Sequence, residues 1–247
     1  MMKIYLDIET IPGQSPSLIG DITETISPPG NIKKAETIAK WEAEQKQVAI
    51  EDAWRKTSFQ GDRGEVVCIA WAVDDGLVDF VYRTPAHLNG PANDVSEAEI
   101  LTDFFNTIKK ESERQHGRRP MFIGHNVRDF DLRFLFHRAV ILGVKPPFHL
   151  PHDARPDSES VFDTMYAWAG YRDRISLDRL CRALDIPTKG SELDGEEISG
   201  AKVWDFVLDG YADKVAIYCQ ADVERVRNVY RRLNFEEAQQ WPEAVSA

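Results

Sequence analysis

The sequence has no long run of apolar residues. The longest stretch without a polar side chain covers residues 66–73, whereas a membrane-spanning helix needs about 20 apolar residues. The chain also reaches an acidic residue at Asp7 with no apolar leader before it, so no signal peptide is expected. These absences exclude a transmembrane helix and predict a protein that does not bind a membrane.

Cysteine is scarce as well. Cys68, Cys181 and Cys219 lie far apart, are odd in number and form no C-x-x-C pair. A disulfide framework and a cysteine zinc cluster are therefore excluded, and the pattern is typical of the reducing cytoplasm.

Positive charge is the third shortage. The chain has 30 Lys and Arg against 41 Asp and Glu, a formal net charge of −11. A protein with this much negative charge is a poor candidate for binding duplex DNA across its whole surface. It can still act on nucleic acid if carboxylates hold metal ions and a local basic rim contacts the phosphates. Charge thus limits how the protein binds nucleic acid, not whether it does.

The hydrophobic pattern predicts a single α/β domain over residues 1–247. Alternating or continuous apolar residues predict strands at 3–9, 65–74, 77–83 and 121–124. Helical periodicity predicts helices at 96–115, 129–142, 176–185, 201–208 and 211–233. Because strands come early and helices are interspersed and then dominant, we expect a mixed central sheet flanked by helices.

The segment between the first two strands, about residues 14–64, is too long for a plain loop. Residues 33–56 predict a charged helix that carries Trp41, Val48 and Trp54. A solvated helix packed on the domain is the simpler interpretation of this predicted helical insertion. A flap that faces the substrate is the alternative.

Asp7 and Glu9 are the first pair of acidic residues with a chemical implication. Side chains at i and i+2 share one face of a strand, so the two carboxylates are neighbours. Adjacent carboxylates repel, and both stay ionised if a divalent cation lies between them. The pattern alone is weak, because Asp-x-Glu also occurs at positions 157, 194 and 222.

Two further acidic motifs follow in the chain. Asp131 comes at the junction between a strand and an apolar helix, where open α/β sheets hold their ligands. The alternative is a helix cap, for which Asp129 is the better candidate. Tyr218 and Asp222 are spaced i, i+4, which places the phenol and the carboxylate on one face of the last helix.

The ordered combination of Asp-x-Glu-Thr, Asn-x-x-x-Phe-Asp and Tyr-x-x-x-Asp resembles the DEDD exonuclease superfamily. Since the final histidine is His152, Tyr218 must take the place that the other branch gives to a histidine. The chain therefore resembles the tyrosine branch (DEDDy), and most of all bacterial and phage exonucleases related to the proofreading domain of family B DNA polymerases. Residues 130–143, 176–180 and 189–190 also match, and the resemblance covers 1–13 and 64–234.

This resemblance implies a ribonuclease H-like fold and a metal-dependent 3′–5′ exonuclease that releases nucleoside 5′-monophosphates from single-stranded DNA. It implies two Mg²⁺ or Mn²⁺ ions, about 4 Å apart, held by four carboxylates: Asp7, Glu9, Asp131 and Asp222. Tyr218 would orient the attacking water. Thr10, Asn126 and Phe130 would contact the terminal nucleotide. The family often has proline two residues after the second aspartate, where this chain has Arg133.

Several alternatives remain open at this stage. A 3′–5′ exoribonuclease would use the same carboxylates, and a catalytically silent nucleic-acid- or partner-binding module could keep the fold. We expect a monomer that acts on DNA in preference to RNA, with a replication or repair protein as a possible partner. His149, His152 and Asp153 are an alternative metal site. The basic residues that could meet phosphates are Lys33, Lys34, Arg118, Arg119, Arg128 and Lys189.

Overall fold

The computed structural model describes residues 1–85, 88, 95–188, 200 and 202–236. Within these residues, five strands form one sheet: β1 (Met2–Ile11), β2 (Glu65–Val73), β3 (Val78–Tyr82), β4 (Pro120–Gly124) and β5 (Val161–Asp163). Their order is β3-β2-β1-β4-β5. Strands β3, β2 and β1 are antiparallel, whereas β4 and β5 run parallel to β1. The predicted mixed sheet is therefore confirmed.

The helices pack around this sheet. They are α1 (Pro16–Thr25), α2 (Ala35–Glu44), α3 (Lys46–Arg55), α4 (Glu97–Arg114), α5 (Asp131–Leu142), α6 (Thr164–Ala169), α7 (Leu177–Ala183), α8 (Val203–Leu208) and α9 (Ala212–Leu233). A 3₁₀ turn (Lys56–Phe59) follows α3. No helix in the described part of the chain is long and apolar enough to cross a bilayer.

The structure differs from the sequence prediction in three elements. The charged helix over residues 33–56 is two helices, because Gln45 leaves helical geometry with φ −122° and ψ −23°. Helix α1 was not predicted. It begins at Pro16, and a proline at the start of a helix costs no intrahelical hydrogen bond. Strand β5 has only three residues, too few for a periodic signal.

Strand β1 lies between two hydrophobic cores, one on each face of the sheet. Ile4, Leu6 and Ile8 pack in the core that contains α4 and α5. Tyr5 lies in the other core, which contains α7, α8 and α9. Because side chains alternate along a strand, Asp7 shares the face of Tyr5 and points towards α9.

The segment between β1 and β2 packs against the main domain through its own small core. Leu18, Ile22 and Ile50 are buried together, with Trp54 at their edge. The Trp54 ring meets Trp204 of α8 edge-on, with centroids 5.3 Å apart. Helices α1 and α3 of this segment thus pack together, and Trp54 of α3 joins them to the main domain. That residues 1–247 form a single domain stays a prediction.

Candidate active site

The acidic residues of β1 lie in the part of the strand that extends beyond its parallel neighbour, β4. The β1–β4 pairing ends at Tyr5 and Ile123, and a side chain at Gly124 would collide with Val127. Strand β4 ends at Gly124, so β1 has no β4 residue paired with it beyond Tyr5. Asp131, the first residue of α5, fills the gap: its Oδ1 accepts a hydrogen bond of 3.1 Å from the backbone N–H of Ile8.

Asp131 is a buried carboxyl group. Its exposed fraction is 3%, and burial raises its pKa to about 7, although backbone hydrogen bonds from Asp131 and Ile8 act in the opposite direction. A carboxylate removed from water needs a compensating partner, and a bound cation is one such partner.

Asp7, Glu9 and Asp222 form one acidic cluster. Each offers a carboxylate oxygen, and these oxygens all lie within 4.8 Å of one another. The first two come from β1 and the third from α9, so the cluster joins two elements far apart in sequence. Within the described ranges it is the one such group of three or more metal-ligating side chains, and His149, His152 and Asp153 form none.

Tyr218 lies beside this cluster, one helical turn before Asp222. Its side chain is 3% exposed. Burial, the charges of Glu9, Asp222 and Asp7, and a hydrogen bond with Asp222 all raise the pKa of its hydroxyl above the ordinary value. The phenol therefore stays protonated at neutral pH.

Arg225 is a residue of the site that the sequence analysis missed. Its Nη1 donates a 2.8 Å hydrogen bond to Oδ1 of Asp222, and its side chain is 1% exposed. Its Nη2 also donates to the carbonyl oxygen of Thr188 at 3.4 Å. The ion pair fixes one carboxylate oxygen of Asp222 and offsets part of the negative charge. The sequence does place Arg225 three residues after Asp222 on the predicted helix, a spacing that allows an ion pair. Such pairs are common on exposed helix faces, so the spacing alone does not indicate a buried site.

Asp163 organises the loop that carries Asn126. It caps α6 by accepting from the N–H groups of Met165 and Tyr166. It also accepts from the N–H groups of Asn126 (3.0 Å) and Arg128 (3.2 Å). This second role was missed, because it joins residues 35 and 37 positions apart.

The three residues expected to contact the terminal nucleotide differ in accessibility. Asn126 has a left-handed backbone, φ 65°, and its Oδ1 is buried without a hydrogen-bond partner. Phe130 is half-buried, with its ring 5.6 Å from that of Phe134. Thr10 follows a register shift in the β1–β2 pairing, and its hydroxyl donates to the carbonyl oxygen of Ser58 at 2.6 Å.

The alternative interpretation, in which Asp129 caps α5, was wrong. The N-cap residue is Phe130, and no side-chain cap is formed. The Asp129 carboxylate instead accepts from Arg128 and from the hydroxyl of Tyr166. Arg128 in turn lies over the Tyr166 ring, 4.1 Å from its centroid, so this candidate phosphate contact is already engaged.

The other candidate phosphate contacts lie outside the acidic cluster. Arg118 and Arg119 come just before β4, at the end of the sheet opposite Asp7, and Arg118 bonds to Asp74 and Gln115. Lys33 and Lys34 are exposed in the segment between β1 and β2. Lys189 lies outside the described residues.

Comparison with known protein families shows which family the chain belongs to. Residues 65–243, more than half of it, match a family described as predicted 3′–5′ exonucleases related to the exonuclease domain of PolB. The chain belongs to this family. It is therefore an enzyme that hydrolyses phosphodiester bonds of a nucleic acid from the 3′ end, as the sequence predicted. The match begins after β1, so Asp7 and Glu9 lie outside it.

A solved structure supports the fold. The chain superimposes on the family B DNA polymerase from the hyperthermophilic archaeon Pyrobaculum calidifontis with a TM-score of 0.53 and 16% sequence identity. The superposition covers 95% of this chain and 24% of the polymerase, so the chain spans about a quarter of that protein. The predicted ribonuclease H-like fold is confirmed. None of the curated proteins matches the chain significantly.

Proposed function

We propose that this family member removes single nucleotides from the 3′ end of single-stranded DNA, by a two-metal mechanism of the tyrosine branch. The observation that carries the proposal is the convergence of Asp7, Glu9 and Asp222 within 4.8 Å, with Tyr218 beside them. Asp131 approaches the same stretch of β1 from α5.

The donor set fits hard divalent cations. Every candidate ligand is a carboxylate oxygen, which suits Mg²⁺ or Mn²⁺ rather than softer metals. When bound, two such ions supply activation of water and neutralisation of charge on the phosphate and the leaving oxygen. Asp7, Glu9 and Asp222 would hold the ion beside the water, and Asp7 and Asp131 the ion beside the leaving oxygen.

The residues of the chain position the reactants. The Tyr218 hydroxyl would hold the attacking water by a hydrogen bond, since its raised pKa keeps it protonated. The water oxygen bonds to phosphorus and gives up a proton to the solvent, the bond from phosphorus to the 3′ oxygen breaks, and that oxygen takes up a proton from the solvent. The products are a nucleoside 5′-monophosphate and a strand shorter by one nucleotide.

The terminal nucleotide would be held from two sides. The backbone at Thr10 follows the acidic pair of β1, and Asn126 and Phe130 lie at the end of β4. We propose DNA in preference to RNA and a monomer, with a replication or repair protein as partner.

The test is a cleavage assay on matched strands. The protein is incubated with 5′-labelled single-stranded DNA and RNA, with Mg²⁺, Mn²⁺ or EDTA, beside an Asp7→Ala variant. A ladder that shortens from the 3′ end, and that is lost with EDTA and in the variant, is expected. Faster cleavage of RNA would make the protein an exoribonuclease. Intact strands in every lane, with binding retained, would indicate a silent module and overturn the proposal.

A further inference from the structure

A groove opens next to Thr10, immediately beyond the acidic pair of β1. Its cavity volume is about 190 Å³. One wall comes from the end of α3 and the 3₁₀ turn, and the other from the start of α8. The side chains that matter to its chemistry are those of Asp52, Arg55, Lys56, Phe59 and Trp204.

The first wall is fixed to the end of β1 by hydrogen bonds on both sides. Thr10 donates to Ser58, and the N–H of Gly13 donates to the hydroxyl of Thr57 at 3.0 Å. The indole of Trp54 donates to the carbonyl oxygen of Gly13 at 2.9 Å. The groove is therefore held in register with Asp7 and Glu9, although most of the wall lies 40 to 50 positions further along the chain.

The second wall is tied to the first by an ion pair. Arg55 donates to Asp205 of α8 and to Glu51, both at 2.8 Å. This bridge, together with the Trp54–Trp204 contact, sets the width of the groove. Arg55 is thus engaged within the protein.

Two side chains of the groove are not engaged in this way. Phe59 is 60% exposed, although its neighbours Thr57 and Ser58 are buried. Lys56 is exposed and forms no ion pair with any other described residue. The exposed ring of Phe59 can stack with a base of a single strand, and the ammonium group of Lys56 in the same groove can bind a phosphate. The carboxylate of Asp52, which also lines the groove, would repel the phosphate.

We propose that this groove binds the single strand next to its 3′ end, with one base stacked on Phe59 and one phosphate beside Lys56. The assignment rests on the proposed function, because it is the acidic cluster that places the 3′ end beside Thr10. The segment between β1 and β2 lies outside residues 65–243, which the family model matches.

Binding without hydrolysis tests the groove directly. A 5′-fluorescein-labelled oligothymidylate is titrated in EDTA and followed by anisotropy. Phe59→Ala is expected to weaken binding about tenfold, and Phe59→Trp to restore it. Lys56→Gln is expected to reduce the slope of log affinity against log salt by about 0.7. Val48→Ala and Lys33→Gln, exposed positions of the same insertion, are the matched controls and should bind as wild type.

A 2-aminopurine base, placed at successive positions from the 3′ end, locates the stack. One position is expected to change fluorescence on binding to the wild type, and that change should be lost with Phe59→Ala. If affinity, salt slope and fluorescence are all the same in the Phe59 and Lys56 variants as in the wild type, the groove does not bind the strand.

The failure of this proposal is distinguishable from failure of the proposed function. The p-nitrophenyl ester of thymidine 5′-monophosphate carries one nucleotide, so it reports the acidic cluster without a strand in the groove. Wild type and Phe59→Ala are expected to hydrolyse it equally, while the variant loses about tenfold on oligonucleotides. Absence of hydrolysis of both this ester and oligonucleotides by the wild type would overturn the proposed function, and the binding and fluorescence results would still decide the groove.

Discussion

The carboxylate of Asp131 accepts a hydrogen bond of 3.1 Å from the backbone of Ile8, the residue between Asp7 and Glu9. The bond joins the first turn of α5 to the strand that carries two of the three clustered carboxylates. The proposed function assigns Asp131 to a metal ion as well, so this one side chain would hold both the strand and the ion.

Replacing Asp131 by asparagine separates these two roles. The amide oxygen can still accept from Ile8, so the fold is expected to persist, while exonuclease activity falls by at least about a hundredfold because a charged ligand is lost. Asp131→Ala also loses the hydrogen bond and should be less stable than Asp131→Asn by about 1 kcal/mol. Denaturant unfolding and the cleavage assay measure the two effects. Full activity in Asp131→Asn would remove this residue from the metal site.

The pH dependence of stability checks the burial of the same group. Its folded pKa of about 7 lies above the ordinary value of about 3.9, so folding favours the protonated form. The protonated Asp131 carboxyl group therefore adds to the free energy of unfolding at low pH. The metal-free protein should lose this stabilisation as pH rises from about 4 to about 7, whereas Asp131→Asn should not. The difference in free energy of unfolding between the two, measured in EDTA at pH 5 and pH 8, should shift in favour of the variant. An unchanged difference would contradict the raised pKa.

Tyr218→Phe tests the donor role of the phenol. Removing the hydroxyl should lower the cleavage rate by about tenfold or more, since a positioned water is lost. Because burial and the surrounding carboxylates raise the pKa of Tyr218, its hydroxyl stays protonated, and the ratio of the two rates should be equal at pH 7 and pH 8.5. Tyr211→Phe, at the exposed N-cap position just before the same helix, is the control. A ratio that grows steeply with pH would indicate that the phenolate acts as a base.

Metal binding should stabilise the protein. Asp7, Glu9 and Asp222 repel one another in the absence of a cation, so Mg²⁺ or Mn²⁺ bound to the folded state alone should raise the melting temperature. At a hundredfold excess over the dissociation constant the gain is about 2.7 kcal/mol. Calorimetry with and without metal measures it. Asp7→Ala should show a much smaller rise, and an equal rise in both proteins would place the ion elsewhere.

Arg225 is expected to be more important for stability than exposed arginines are. Arg225→Met leaves the buried Asp222 carboxylate without its 2.8 Å partner, and breaking a buried pair in this way costs about 3–5 kcal/mol. The matched control is Arg182→Met, whose i, i+4 pair with Asp178 is largely exposed and should cost about 1 kcal/mol or less. Urea unfolding of both variants decides the point. Equal losses would mean that the Arg225–Asp222 pair contributes no more than a surface pair.

The parts of this protein that the sequence determined are local ones. Alternation along β1 places Asp7 and Glu9 on one face, and helical spacing places Tyr218 and Asp222 on one side of α9. These relationships follow from the periods of the strand and the helix, so they hold wherever the elements pack. The order of the motifs was also sufficient to predict the family.

The tertiary structure decided which of these faces meet. Asp131 reaches Ile8 across 123 positions, and Asp163 reaches the Asn126 loop across 37. Phe59 comes beside Thr10 only because the insertion packs back onto the end of β1. Such contacts depend on where strands stop and how helices cross. No local period encodes that geometry, because it is set by the packing of the two cores on either side of the sheet.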